Sequence, residues 1–179
     1  MFTTIKARFH DIKTINRLCT SAEQFARAAG RIKPGSEHFV LAALDLSDLS
    51  AQRAFARLGI TSVAFSAAIN AQFLDALASI GISVNPEVSA GNLSSYCGEA
   101  PPALYEAEPS GQLLMQRIAA LAKSRVGRPI LSADVLLAVS QEEFTIASRA
   151  FKRLSITAQQ LATAANEAIS ATQKHASDA

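Results

Sequence analysis

Cysteine, proline, glycine and charged residues are all scarce in this chain of 179 residues. Its two cysteines, Cys19 and Cys97, stand in no Cys-x-x-Cys or Cys/His ligand spacing, which excludes a secreted disulfide framework and favours a reducing compartment. Six prolines and eight glycines leave few interruptions to regular structure. With 49% hydrophobic and only 18% charged residues the chain is too apolar for intrinsic disorder, so we expect it to fold.

The signatures of nucleotide and metal chemistry are also missing. No glycine is followed by lysine, which excludes a phosphate-binding P-loop, and no Gly-x-Gly-x-x-Gly motif occurs. The three histidines, His10, His38 and His175, are scattered and form no His-Glu-x-x-His pattern. Because no set of catalytic or metal-ligating residues can be named, we expect a protein that is not an enzyme and needs no cofactor or metal.

Charge and hydropathy argue against nucleic-acid and membrane partners. Seventeen Lys/Arg against fifteen Asp/Glu give a formal net charge of +2, whereas phosphate binding normally requires a dense basic patch. The longest charge-free stretch, residues 58–74, contains five polar residues and falls short of the ~20 apolar residues of a membrane span. The N-terminus lacks the continuous apolar core of a signal peptide. We therefore predict a soluble, cytoplasmic protein.

Alanine, the strongest helix former, is abundant, and apolar residues recur at three- and four-residue spacing. This spacing predicts four helices in each half of an all-α chain. In the first half they lie at about residues 15–30, 37–44 and 47–58 and after Thr61; in the second, at about 114–122, 132–138 and 146–154 and after Thr157. We expect Ser36, Thr61, Ser132 and Thr157 to be N-caps. The predicted apolar faces of the fourth helices are Phe65, Ala68, Ile69, Phe73, Ala76, Leu77 and Ile80, and Leu161, Ala164, Ala165, Ala168 and Ile169.

An internal repeat organises these helices. Residues 54–70 match residues 150–166 at a constant offset of 96, and the same offset aligns residues 36–42 with 132–138. The identical pairs are Ala54/Ala150, Phe55/Phe151, Arg57/Arg153, Leu58/Leu154, Ile60/Ile156, Thr61/Thr157, Ala68/Ala164 and Asn70/Asn166. We infer a duplication, with repeats at residues 1–80 and 111–171, an acidic linker containing proline and glycine at 81–110, and a polar tail at 172–179. Between the repeats, residues 81–108 carry four acidic and no basic side chains.

Two motifs resemble the repeat of the Clp ATPase amino-terminal domain. They are Gly35-Ser36-Glu37-His38 before an apolar helix, similar to the Gly-Thr-Glu-His of that family, and Leu58-Gly59-Ile60 before the fourth helix. The resemblance implies two tandem four-helix repeats related by pseudo-twofold symmetry, without the AAA+ module that hydrolyses ATP. The second copy departs from the pattern, because Ser132-Ala133-Asp134 lacks the histidine and Ser155 replaces the glycine.

The resemblance also implies where a ligand binds. In some relatives the acidic residue of the motif, once per repeat, helps to bind phosphorylated arginine, which points to Glu37 and Asp134. The candidate ligand- or peptide-binding residues are therefore Ser36, Glu37, His38, Ser132 and Asp134. The simpler interpretation is structural, since an acidic residue in a first turn stabilises a helix without any ligand. His38 would then be a polar residue packed against the preceding loop.

We therefore expect a non-enzymatic module that binds proteins or peptides, as a free-standing adaptor or regulator of Clp-mediated protein quality control. Its partners would be a Clp ATPase, an adaptor, or an unfolded or phosphoarginine-bearing client. The alternative is a DNA-binding transcriptional regulator, because residues 36–44 and 47–58 resemble a helix-turn-helix. Only Arg53 and Arg57 are basic in the second of these helices, which gives that alternative little support.

Overall fold

The computed structural model describes residues 2–81, 106–125 and 128–177. These residues form eight α-helices and no strand, which confirms the predicted all-α class for the part of the chain described. The helices are α1 (Phe2–Ala28), α2 (Ser36–Leu44), α3 (Ser50–Arg57), α4 (Ser62–Ser79), α5 (Pro109–Ser124), α6 (Ser132–Val139), α7 (Ile146–Arg153) and α8 (Ala158–Ser177).

Several helix boundaries differ from the sequence predictions. α1 begins at Phe2, well before the predicted start, and α8 continues to Ser177 through most of the segment predicted as a tail. α3 begins at Ser50 rather than Ser47, because Leu49 has a left-handed backbone with φ of 58° that no helix can contain. α5 begins at Pro109, inside the predicted linker, since proline suits the first turn of a helix. Linker residues 82–105 lie outside the described residues, as does Gly127 in the loop before α6.

Two of the four predicted N-caps are confirmed. The hydroxyl oxygen of Thr61 accepts from the N–H of Ala64 at 3.1 Å, and that of Thr157 accepts from the N–H of Gln160 at 3.2 Å. The predictions for Ser36 and Ser132 are wrong, because each is the first residue inside its helix. Residue type alone favours serine at an N-cap. Here Gly35 and Leu131 occupy the cap positions, and the side chains of His38 and Asp134 accept from their N–H groups.

The chain has two halves, α1–α4 and α5–α8, and the third helix of each half packs on the fourth helix of the other. α3 packs on α8, α7 packs on α4, and α2 and α6 contact each other between them. At the centre the rings of Phe55 and Phe151, one of the identical pairs of the repeat, meet edge to face with centroids 5.9 Å apart. The ring of Phe65 lies 4.8 Å from that of Phe151. The core is therefore shared by both halves rather than divided between them.

The predicted apolar faces of the fourth helices are only partly buried. All five residues predicted on α8 are buried, since α8 contacts both α3 and α6. On α4, Phe65, Ala68 and Ile69 are buried, but Ala76 is exposed and Ile80 is 69% exposed. The end of α4 projects beyond α7, which is only eight residues long and covers part of it.

Two ion pairs repeat across the contact between the halves. Arg57 on α3 contacts Glu167 on α8 at 2.5 Å, and Arg153 on α7 contacts Asp75 on α4 at 2.6 Å. The two arginines are an identical pair of the repeat, and each reaches the fourth helix of the other half. These pairs are about half exposed, so each stabilises by roughly 0–1 kcal/mol and chiefly fixes how the helices are aligned.

None of the helices in the described ranges is by itself long and apolar enough to cross a membrane. Taken together, α3 and α4 meet those criteria of length and composition, but they are bent by 78° at the break between them.

The third helix of each half ends in a left-handed residue. Gly59 has φ of 66° and Ser155, at the equivalent position of the repeat, has φ of 62°. A side chain in this conformation is disfavoured because its Cβ crowds the backbone, whereas glycine adopts it freely. The second half therefore makes the same turn with Ser155, whose left-handed backbone conformation is strained.

Replacing Ser155 by glycine should stabilise the protein by about 1 kcal/mol, because it removes this strain. The mirror change, Gly59→Ser, should destabilise it by a similar amount, since a Cβ at Gly59 meets no atom within 4 Å and only the backbone conformation opposes it. Denaturant unfolding of both variants measures the two effects. A loss of stability in Ser155→Gly would contradict the strain at this turn.

Candidate functional site

The five candidate residues lie in two helix starts and are all buried. Ser36, Glu37 and His38 form the first turn of α2, whereas Ser132 and Asp134 belong to the first turn of α6. None of the five is more than 4% exposed. The two helices contact each other, but each first turn has its own set of partners.

His38 stabilises the start of α2. Its Nδ1 accepts a hydrogen bond of 3.0 Å from the N–H of Gly35, the residue before the helix. Burial, followed by the positive charge of Arg31, lowers the pKa of His38 to about 4, so the ring is neutral near pH 7. Nδ1 must then be unprotonated, and its 3.3 Å approach to the Glu37 carboxylate is not an ion pair. The packed, structural interpretation of His38 is the one this geometry favours.

Glu37 is the least exposed acidic residue of the candidate set. The residue is 1% exposed, and its side chain folds back so closely over Gly35 that a Cβ there would lie 2.7 Å from Oε2. Oε2 has no hydrogen-bond partner. Burial raises the pKa of the Glu37 carboxyl group; its own backbone N–H opposes this shift. A ligand would have to displace part of the first turn to reach this carboxyl group.

Asp134 has the role at α6 that His38 has at α2. Its Oδ2 accepts a hydrogen bond of 2.9 Å from the N–H of Leu131, the residue before the helix, and its Oδ1 binds the guanidinium of Arg125. Burial raises the pKa of Asp134, against the Leu131 N–H and the Arg125 charge. The repeat offset places Ala133, not Asp134, at the position of Glu37. The geometry thus gives Asp134 a capping role and an arginine of its own chain as its partner.

Ser132 belongs to a junction between the two halves that sequence analysis missed. The carboxylate of Asp48 accepts hydrogen bonds from the N–H groups of Ser50 at 2.9 Å and Ser132 at 3.0 Å. The hydroxyl of Ser132 donates to the same carboxylate at 2.7 Å and accepts from the N–H of Ala51 at 2.9 Å. In return, the hydroxyl oxygen of Ser50 accepts from the N–H of Ala133 at 2.9 Å. We call Asp48, Ser50 and Ser132 the serine junction.

The serine junction joins the N-termini of α3 and α6. Both helix ends carry partial positive charge and unpaired N–H groups, and one carboxylate with two hydroxyls satisfies them together. Asp48 and Ser50 suggest an ordinary local cap in the sequence. The pairing of Ser50 with Ser132 spans 82 residues, and no local pattern could predict it.

An open groove with a volume of about 870 Å³ lies in the first half. α1, the end of α2, α3 and the turn into α4 form its walls, and its lining residues are Phe25, Leu41, Leu44, Asp45, Gln52, Phe55, Ala56, Gly59, Ile60, Thr61, Ser62, Val63 and Ser66. We call this surface the apolar groove. Asp45 is the one charged residue in its lining. Val63, one of the lining residues, is 76% exposed.

A smaller depression of about 380 Å³ lies between the end of α3 and α8. It contains the Arg57–Glu167 ion pair, two glutamine side chains and one threonine side chain. Within residues 2–81, 106–125 and 128–177 no three His, Cys, Asp or Glu side chains come together in a way that could hold a metal ion.

Comparisons with known proteins add no identity to this picture. A scan against protein-family models gives no match, and a search of curated proteins finds no similar sequence. Any function assigned to the chain therefore rests on its own residues and geometry.

The serine junction predicts a large effect for a single substitution. Asp48→Ala should destabilise the protein by about 2–3 kcal/mol, because it leaves N–H and hydroxyl groups at two helix ends without an acceptor. Asp45→Ala, an exposed position in the same loop, is the matched control and should change stability by less than about 0.5 kcal/mol. Denaturant unfolding of the two variants gives both values, and equal small effects would show that the junction is unimportant.

Proposed function

We propose that this chain is a non-enzymatic module that binds proteins or peptides, similar to the substrate- and adaptor-binding domain of Clp chaperone ATPases. In this proposal its partners are a Clp ATPase, an adaptor or an unfolded client, and it acts as an adaptor or regulator in protein quality control. The observation that carries the proposal is the apolar groove, with its open shape, its nearly uncharged lining and the exposed Val63 at its edge.

The packing of the helices supports the double-repeat part of the proposal. If the two halves are Clp-type repeats related by pseudo-twofold symmetry, equivalent residues should make equivalent contacts. Phe55 and Phe151 do so by contacting each other, and Arg57 and Arg153 do so by each binding an acidic residue on the other half's fourth helix. Gly59 and Ser155 share the same left-handed conformation.

The groove suits apolar side chains of a peptide. Its volume of about 870 Å³ lies within the roughly 300–1,000 Å³ range of small-ligand sites, so it can hold a few side chains rather than a folded domain. Each apolar side chain removed from water there would contribute roughly 25 cal/mol per Å². An unfolded client or a flexible segment of an adaptor presents such side chains, whereas a folded protein buries them.

The alternative, a DNA-binding regulator, receives no support from the position of α3. The helix packs between α6 and α8, and both of its basic residues face α8. Arg53 donates to the hydroxyl of Thr172 at 3.1 Å, and Arg57 binds Glu167. A recognition helix needs a free face with side chains that reach the bases, and α3 offers none of its arginines for this.

A substitution at the edge of the groove tests the proposal. Val63→Glu places a charge where the peptide would bury apolar surface, and we expect affinity for an unfolded client protein to fall about tenfold or more. Ala67→Glu is the matched control, since Ala67 is exposed on the same helix one turn later and does not line the groove. Fluorescence anisotropy with a labelled, permanently unfolded protein gives both affinities. Equal affinities in the two variants, or no binding by the unaltered protein, would overturn the proposal.

A phosphoarginine-bearing client is the partner that the resemblance assigns to Glu37. If that carboxyl group is the receptor, a phosphoarginine peptide should bind the unaltered protein and lose affinity about tenfold or more in Glu37→Ala, because a charge-assisted bond to the guanidinium disappears. Isothermal titration with the phosphorylated peptide, and with the same peptide carrying plain arginine, measures this. Binding that is unchanged or absent in both proteins would exclude Glu37 as the receptor.

A further inference from the structure

The start of α2 contains a group of buried polar atoms that have no hydrogen-bond partner. At this helix start they are the hydroxyl oxygen of Ser36 and Oε2 of Glu37; in the turn after α6 the carboxyl oxygens of Glu142 also lack a well-formed hydrogen bond, with only the Thr145 hydroxyl as a nearby side-chain donor. Ser36, Glu37 and Glu142 are 0%, 1% and 5% exposed. Glu37 belongs to the first half and Glu142 to the second, and α2 contacts both α6 and α7.

The serine junction has hydrogen-bond donors of a kind that the carboxyl groups of Glu37 and Glu142 lack. There, one carboxylate between two helix starts accepts from two N–H groups and two hydroxyls. At the start of α2, the N–H of Ser36 bonds to the hydroxyl of Ser110 instead, at 3.3 Å, and the N–H of Gly35 bonds to His38. Glu37 has its own backbone N–H and Glu142 has the Thr145 hydroxyl, so neither carboxyl group has a set of donors comparable to that of Asp48. A buried carboxylate without donors is strongly disfavoured in its charged form.

The charged groups around Glu37 do not offset the cost of burying a negative charge on its carboxyl group. Glu108, before α5, and Glu142 add negative charge, while Arg31, in the loop after α1, is the nearby cation. Arg31 is already engaged, because its guanidinium lies 4.6 Å from the centre of the Phe73 ring and 4.0 Å from the Glu108 carboxylate. His38 is neutral near pH 7, as argued above, and adds no positive charge.

Glu142, in the second half, is also a buried carboxyl group with little nearby positive charge. Arg117 on α5 is the nearby cation, and it donates to the carbonyl oxygen of Ala138 at 3.4 Å. Burial raises the pKa of Glu142, and the Thr145 hydroxyl and Arg117 oppose the shift. The pKa of Glu37 is raised for the same leading reason, its burial.

We propose that Glu37 and Glu142 form a proton-dependent junction between the two halves, which is held when both carboxyl groups are protonated and weakened when they ionise. The device does not depend on the proposed function. Its effect would be to loosen the start of α2 against the turn between α6 and α7 as the pH rises, while the serine junction keeps α3 and α6 together.

The direction of the pH effect follows from linkage. A carboxyl group whose pKa is higher in the folded than in the unfolded protein holds its proton more tightly when folded. Its contribution to stability is therefore greatest below the unfolded pKa of about 4.5 and is lost as the pH rises through the folded pKa. This is opposite to the behaviour of a salt-bridged carboxylate.

Replacing each glutamate by glutamine tests the proton-dependent junction, because glutamine keeps the shape of glutamate and cannot ionise. We expect Glu37→Gln and Glu142→Gln each to raise the folded-to-unfolded ratio at about pH 8 by roughly tenfold for every unit by which the pKa is raised, and to have no such effect near pH 4. Urea unfolding across this range measures the ratio. The exposed neighbour Glu143→Gln is the matched control and should change the ratio by less than about twofold at every pH.

A second measurement uses the unaltered protein, so it does not depend on how the variants fold. The carboxyl carbon resonances of Glu37 and Glu142 should titrate above the ordinary glutamate pKa of 4.5 in a carbon-13 NMR pH series. If they titrate at or below that value, or if the glutamine variants follow the pH dependence of the unaltered protein in parallel, the proton-dependent junction is wrong.

Discussion

The serine junction is the interaction on which the assembly of the two halves depends. Helix N-termini repel each other, because each carries partial positive charge and N–H groups that need acceptors. α3 and α6 nevertheless start side by side, since Asp48 lies between them and Ser50 and Ser132 each accept from the other helix. With those ends fixed, α3 can cross onto α8, and the phenylalanines of both halves meet in one core.

The local features of this fold are the ones that sequence reasoning could reach. The existence of the helices, the threonine caps and the buried face of α8 follow from spacing and residue type, and the repeat correctly paired Gly59 with Ser155. The caps at Ser36 and Ser132 were predicted wrongly, because serine competes with a side chain two residues later that bonds back to the preceding N–H. The serine junction joins residues 82 positions apart, so only the tertiary structure reveals it.

The candidate site is divided by its geometry into two different environments. At α6 the carboxylate of Asp134 is paired with Arg125 and a backbone N–H, and Ser132 is part of the serine junction. At α2, Glu37 is buried without an adequate donor. Sequence similarity between the two motifs could not show this difference, since it depends on what the rest of the chain places beside each helix start. The apolar groove lies in the first half, and Gly59 and Ile60 of the second motif are part of its lining although the sequence did not mark them as binding residues.

The proposal that the apolar groove binds peptide segments can be tested by mapping amide chemical shifts in NMR spectra while an apolar, unstructured peptide is added. If the groove binds the peptide, saturable shifts will concentrate at Leu41, Gln52, Ile60 and Val63, with little change along α6 and α8. Shifts that are absent at saturating peptide, or that concentrate on the second half, would contradict it.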